Sequence, residues 1–256
     1  TPERSMEIQH NIGADIIFAF DECTSPIAPY DYQVEAMHRT HRWAKRSLEH
    51  HQKLTTEDPL AYSQALFGIV QGGRHRDLRE ASARTIAEMG FAGYGIGGSF
   101  DKADMWNAVA WVNRILPEEQ PRHLLGIGEP GDLFDAIENG CDIFDCVAAT
   151  RMARNGTLHT SAGRINILNS RFRNDFTPID PECLCSVCAG QISLTSVPLA
   201  NMASEESAPT TGAGYTRAYL AHLFRAQELL AYRLASIHNL YFIINLVRKI
   251  RQSLLD

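Results

Sequence analysis

Between residues 15 and 147 five short apolar runs alternate with amphipathic helical patterns, and this alternation constrains the fold more than any other feature of the chain. The runs fall at 15–20 (DIIFAF), 65–70 (ALFGIV), 94–98 (YGIGG), 123–127 (HLLGI) and 142–147 (DIFDCV), with helical patterns at roughly 31–53, 75–89, 102–115 and 130–139. Strands that alternate with helices imply right-handed βαβ units on a parallel sheet. Five such strands fit an open doubly wound sheet or the C-terminal part of a (β/α)8 barrel. The strand ends favour the barrel, because each run finishes in glycine or a polar residue: Asp21-Glu22-Cys23, Gln71-Gly72-Gly73, Gly97-Gly98-Ser99, Gly126-Ile127-Gly128-Glu129 and Asp145-Cys146. Barrels carry function at the C-terminal ends of successive strands, whereas an open sheet concentrates it at one switch point.

A length of 256 residues suits such a barrel, and no apolar run approaches the ~18 residues of a membrane span. A basic-then-apolar leader is absent, and Thr1-Pro2-Glu3-Arg4 reads as a helix start, so the chain is expected to begin in mid-fold. The net charge of −6 argues against indiscriminate coating of nucleic acid. Yet residues 151–174 hold Arg151, Arg154, Arg164, Arg171 and Arg173 with no Asp or Glu, a local charge of +5. Guanidinium groups near a reactive carboxylate fit a polyanionic substrate.

Three of six cysteines are packed into Cys183-Leu-Cys185-Ser-Val-Cys188. Thiols this close cannot easily pair with one another but can converge on one Zn²⁺. A fourth ligand is needed, and His238 and His222 compete for that place. Residues from about 190 to 214 are rich in Ser, Thr, Ala, Gly and Pro without periodicity and read as a flexible insertion, after which two helices are expected from Tyr215 onward. The chain therefore divides into a partial barrel, 1–174, and a helical zinc-binding part, 175–256.

Asp21 and Asp145 both end apolar strands, where a barrel would turn them toward one pocket. A lone Asp at a strand end is commonly a helix N-cap. Two of them, flanked by Gln71 and paired glycines, suit attack on, or stabilisation of, an oxocarbenium-like sugar carbon. Gln71 can hydrogen-bond a base edge, and Gly97-Gly98 lets backbone approach a flat ligand. Cys23 and Cys146 each sit beside a candidate Asp and are read as pocket lining.

These residues resemble one family. Phe20-Asp-Glu-Cys-Thr24, Phe67-Gly-Ile-Val-Gln-Gly72, Gly126-Ile-Gly-Glu-Pro130, Phe144-Asp-Cys-Val147, Thr150-Arg-Met-Ala-Arg154, the CxCxxC run and Ser236-Ile-His-Asn239 are similar, in order, to the motifs of the tRNA-guanine transglycosylases (queuine tRNA-ribosyltransferases). The resemblance implies a TIM barrel with a C-terminal zinc-binding subdomain, a cytoplasmic homodimer without membrane attachment. It implies a pentosyltransferase that exchanges guanine at the tRNA wobble position for a 7-deazaguanine base, preQ1 ahead of queuine, in queuosine biosynthesis. On that resemblance Asp145 is the nucleophile, and Asp21, Gln71, Gly98, Cys23 and Ser99 contact the base. Gly126, Ile127, Gly128, Glu129, Pro130, Gly131 and Asp132, with Thr150, Arg151, Met152, Ala153 and Arg154, form the tRNA-binding segments. Cys183, Cys185, Cys188 and His238 bind Zn²⁺, with His238 preferred to His222.

Three departures from the family pattern stand out. The family's proton-transferring Asp is expected on a strand before this chain begins. Gly97-Gly-Ser-Phe-Asp-Lys102 replaces the usual Gly-Gly-Leu/Ala start, and the 190–214 insertion separates zinc ligands that are normally closer. A non-catalytic tRNA-binding or partner subunit of the same fold is the alternative, which the intact Asp21, Gln71 and Asp145 disfavour.

Overall fold

A computed structural model describes residues 1–57, 64–98, 102–190 and 214–256. Ser99 and nearly all of the expected insertion lie outside the described residues. The chain forms two compact units, one of residues 1–127 and 131–145, the other of 128–130 and 146–256.

The first unit opens with helix α1 (Pro2–Ile12), where Thr1 is the N-cap and Pro2 occupies the first turn, a position that needs no amide donor. Then follow β1 (Ile16–Phe18), α2 (Tyr30–Glu57), β2 (Ala65–Val70), α3 (Arg76–Glu88), β3 (Gly93–Ile96), α4 (Lys102–Asn113), β4 (Arg122–Leu124), α5 (Pro130–Glu138) and β5 (Ile143–Phe144). The strands pair in parallel in the order β1-β2-β3-β4-β5. Among the described residues that order never reverses and shows no switch point, and its winding is that of a (β/α)8 barrel. The partial barrel expected from the strand ends is present. Buried residues such as Ile17, Leu66, Val70, Ile86, Tyr94, Ile96, Val109 and Leu124 form one core between sheet and helices. Strand β2 is buried from Leu66 to Val70, which is why it reads as an unbroken apolar run.

Strands are shorter than the apolar runs. The β1 ladder stops at Phe18 and β5 at Phe144, so Asp21 and Asp145 stand on loops beyond the last paired residues. After β1 and β2 the cause is local: the amides of Phe20, Glu22 and Gln71 donate to Ser47, Thr40 and Ser82 of the helices instead of to the ladder.

The second unit comprises α6 (Ala148–Arg154), an antiparallel hairpin of β6 (Thr157–Thr160) and β7 (Gly163–Asn166), a 3₁₀ turn at Ser170–Phe172, the short α7 (Ser186–Ala189), α8 (Arg217–Arg225) and α9 (Leu229–Leu255). The two terminal helices match the expectation. The hairpin lies in the arginine-rich span, where the sequence showed charge rather than period. Leu158, Ile167, Phe172, Leu220, Phe224 and Leu234 anchor a separate core. Among the described residues no helix is long and apolar enough to cross a membrane.

Candidate functional site

Asp21 is held by the loop that leaves β1. Two hydroxyls of α2 catch that loop, Ser47 accepting from the Phe20 N–H at 3.1 Å and Thr40 from the Glu22 N–H at 3.0 Å. Its carboxylate accepts a 2.6 Å hydrogen bond from Gln71 Nε2, joining the ends of β1 and β2. Burial pushes the Asp21 carboxyl above its usual range, and the Gln71 bond offsets only part of that shift. Gln71 is itself buried, and its N–H donates to Ser82 Oγ of α3 at 3.2 Å. Its Oε1 is buried without a hydrogen-bond partner among the described residues. Gly98 lies against this amide, since a Cβ built on it would come within 3.1 Å of Gln71 Oε1. Its φ of 108° is a conformation side-chain-bearing residues rarely adopt. Asp21, Gln71 and Gly98 are thus brought together, while Cys23 is exposed on the same loop as Asp21.

Asp145 follows β5. One carboxylate oxygen, Oδ1, takes two hydrogen bonds: one from His123 Nε2 at 2.9 Å and one from the Gly126 N–H at 3.1 Å. Gly126 presents that amide from a left-handed conformation, φ 78°, which its lack of a Cβ permits. The Asp145 side chain remains 59% exposed, so Oδ2 is left for a ligand. Buried His123 is oriented by Phe18, whose ring meets the imidazole edge-on with centroids 5.2 Å apart. Asp21 and Asp145 follow the first and last strands of the sheet and keep separate sets of partners.

His123 is a residue the sequence reading missed. It begins an apolar run, and only the fold shows that it faces a carboxylate. Arg79 was missed as well. It is fully buried on α3 and donates to the carbonyls of Val70, Gly73 and Gly97. A usable signal existed, because Arg79 occupies the helix face shared by Ser82, Ala83 and Ile86.

In the second unit, Thr150, Arg151, Met152, Ala153 and Arg154 form most of α6, with both arginines exposed. Arg164, Arg171 and Arg173 are exposed too, and Arg164 reaches Glu129 at 3.4 Å. Gly126 and Ile127 belong to the first unit, Gly128, Glu129 and Pro130 to the second, and exposed Gly131 and buried Asp132 to the first again.

Cys183, Cys185, Cys188 and His238 offer ligand atoms that all lie within 4.8 Å of one another. The three sulfurs stand 3.7, 3.6 and 3.4 Å from His238 Nδ1. A tetrahedral Zn²⁺ with bonds of ~2.3 Å to sulfur and ~2.0 Å to nitrogen requires S···N edges of about 3.5 Å, so the donor set fits that ion. His238 Nε2 sits 2.7 Å from the carbonyl oxygen of His159. A carbonyl only accepts, so Nε2 carries the proton and Nδ1 turns its lone pair to the sulfurs. Backbone amides support the thiolates: the Cys185 N–H reaches Cys183 Sγ at 3.5 Å and the Cys188 N–H reaches Cys185 Sγ at 3.4 Å. Hydrogen bonds from Cys183 and Cys188 pull the Cys185 thiol well below its ordinary pKa. His222 is exposed on α8, outside the group.

The family model described as queuine tRNA-ribosyltransferase matches residues 1–256. An Archaeoglobus fulgidus relative is 49% identical over 267 residues, covering 100% of this chain and 58% of its own length. A Streptococcus pneumoniae (strain CGSP14) protein named queuine tRNA-ribosyltransferase is 42% identical over 259 residues, covering 100% of this chain and 60% of its own length. The chain thus spans about three fifths of the length of the curated relatives it matches.

Proposed function

The chain belongs to the queuine tRNA-ribosyltransferase family, and from that premise we propose that it exchanges guanine at the tRNA wobble position for a 7-deazaguanine base, preQ1 ahead of queuine. The observation that carries the proposal is the state of Asp145. Two donors hold Oδ1 while the side chain stays open, leaving Oδ2 as the attacking atom. In the first displacement Oδ2 bonds to ribose C1′ as the C1′–N9 bond breaks and guanine departs with the electron pair. In the second, N9 of the incoming base attacks C1′ on the opposite face, loses its proton and releases Asp145. Two inversions give retention, and the glycosidic bond energy is carried forward, so no nucleotide cofactor is needed. The resemblance assigns the guanine's proton to an Asp outside residues 1–256.

Asp21, with Gln71 behind it, is the acceptor for the N–H edge of guanine or the incoming base. Gly98 and Cys23 complete that wall, and the resemblance adds Ser99, which lies outside the described residues. The arginines of α6, with Thr150 and the 126–132 segment, hold the anticodon-loop phosphates. In this reading residues 1–174 carry base recognition and the nucleophile, and 175–256 the metal. Cys183, Cys185, Cys188 and His238 would bind one Zn²⁺, which when bound supplies a structural cross-link between the CxCxxC loop and α9. The active form is a cytoplasmic homodimer.

The test uses the full gene product. Radiolabelled guanine in tRNA should be displaced by preQ1, and a tRNA–protein adduct should survive a denaturing gel. Asp145→Asn should abolish the adduct with metal content unchanged. An adduct of normal yield in Asp145→Asn removes the nucleophile from the scheme. Tight tRNA binding with no exchange by the wild type favours a partner subunit instead.

A further inference from the structure

The geometry points to Arg79 as the positioning residue of the base pocket, holding the loops after β2 and β3 in register so that Gln71 and Gly98 face one ligand. The inference rests on the base-exchange reading and extends it to a residue that touches neither substrate nor nucleophile.

Arg79 Nε donates to the Gly73 carbonyl at 2.7 Å, and Nη1 donates to Gly97 at 2.5 Å and to Val70 at 3.3 Å. Val70 and Gly73 bracket Gln71, and Gly97 precedes Gly98, so one guanidinium bridges both base-contacting segments from behind. Its planar fork suits this, because several carbonyls can be reached from one rigid group. Arg79 has no exposed surface, and burial pushes its pKa down to about 9, so it remains a cation near neutrality. A buried cation is an expensive way to fill a core. Apolar residues of similar volume are often neutral or stabilising in such places. What an apolar side chain cannot supply is a fixed distance between two loops. Gly98 is shaped to the same group, because a Cβ there would overlap Arg79 Nη2. The glycine therefore serves the clamp as well as the ligand.

Two variants of the full gene product test this. Arg79→Met keeps the bulk and loses every donor, and Arg79→Lys keeps the charge but not the fork. Both should raise KM for free guanine in the exchange reaction by about tenfold or more, as displaced binding groups do. The Kd for tRNA and the metal content should stay at wild-type values. Amide exchange at residues 71–73 and 97–98 should accelerate in both. That readout needs no catalysis, so it separates failure of the clamp from failure of the proposed reaction, which the wild-type exchange assay decides. If Arg79→Met does not fold, Arg79→Lys carries the decision. A folded variant with wild-type KM for guanine and unchanged loop protection overturns the assignment. So does a loss shared equally between guanine and tRNA, which would mark Arg79 as a general stabiliser.

Discussion

Replacing Asn239 by Ala tests how the second unit is held together. Asn239 is fully buried on α9 and spends its whole amide: Oδ1 accepts from the His159 N–H, and Nδ2 donates to the carbonyls of Ala149 and Thr157, each at 3.0 Å. Alanine leaves one main-chain donor and two acceptors without these partners inside the protein. An orphaned buried group costs ~1–3 kcal/mol, with carbonyls toward the lower end. Allowing for a water entering the space left behind, the loss is about 3–5 kcal/mol. For a chain of this size, ~3 °C per kcal/mol corresponds to a fall in Tm of about 10 °C. The neighbouring His238 keeps its own bond to the His159 carbonyl, so metal content should fall less than stability does. Urea unfolding followed by circular dichroism, with metal measured on the same samples, reads both. Asn239→Asp should cost at least as much at pH 7, since it aims oxygens at two carbonyls. If Asn239→Ala unfolds within about 1 kcal/mol of wild type, the claim that this amide ties α6 and β6 to α9 is wrong.

Other outcomes follow from the same contacts. The purified protein should carry one Zn²⁺ with three sulfur and one nitrogen neighbours in X-ray absorption, and Cys188→Ser or a strong chelator should lower Tm by several degrees. His123→Leu removes the 2.9 Å donor to Asp145 and should slow adduct formation by about tenfold to a hundredfold, with His123→Gln partly restoring it. Asp21 has its folded pKa raised, so the native state binds more protons than the unfolded one there. Its contribution to stability is present below the usual aspartate pKa of ~3.9 and is lost as pH rises through the folded value. Asp21→Asn should therefore flatten the stability–pH curve above that point while abolishing base binding, and an unchanged curve would contradict the burial argument.

How much was legible in the sequence depended on where each residue's partners lie along the chain. Strands β2 and β3 are buried along almost their whole length, so they fall within continuous apolar runs, whereas β4, equally buried, opens with Arg122 and His123; the helices between the strands keep their period. The β6–β7 hairpin did not, because β7 is largely exposed and its charge masks any alternation. The cysteines could be read as ligands from spacing alone, since all three fall within six residues. His238 could not be, standing 50 residues beyond Cys188, and without the family resemblance His222 is its equal. His123 and Asn239 act through partners 22 to 90 residues away, a separation over which no local pattern survives.

The buried polar residues of α2 and α3 follow a common logic. Thr40, Ser47, Arg79 and Ser82 are almost wholly buried on helix faces that an apolar residue could fill. Each bonds to backbone just past a strand end: Ser47, Thr40 and Ser82 accept from the N–H groups of Phe20, Glu22 and Gln71, and Arg79 donates to the carbonyls of Gly73 and Gly97. A single buried hydrogen bond contributes only ~1 kcal/mol net, and replacing both partners by apolar groups can be neutral. Stability alone therefore gives little reason for four such residues to converge on these loops. Fixing the loops does, because a ligand can be read by backbone and amide groups only if those groups hold still. On the base-exchange proposal the strand-end residues are the ones that meet the ligand, and the helices behind them set where those groups stand.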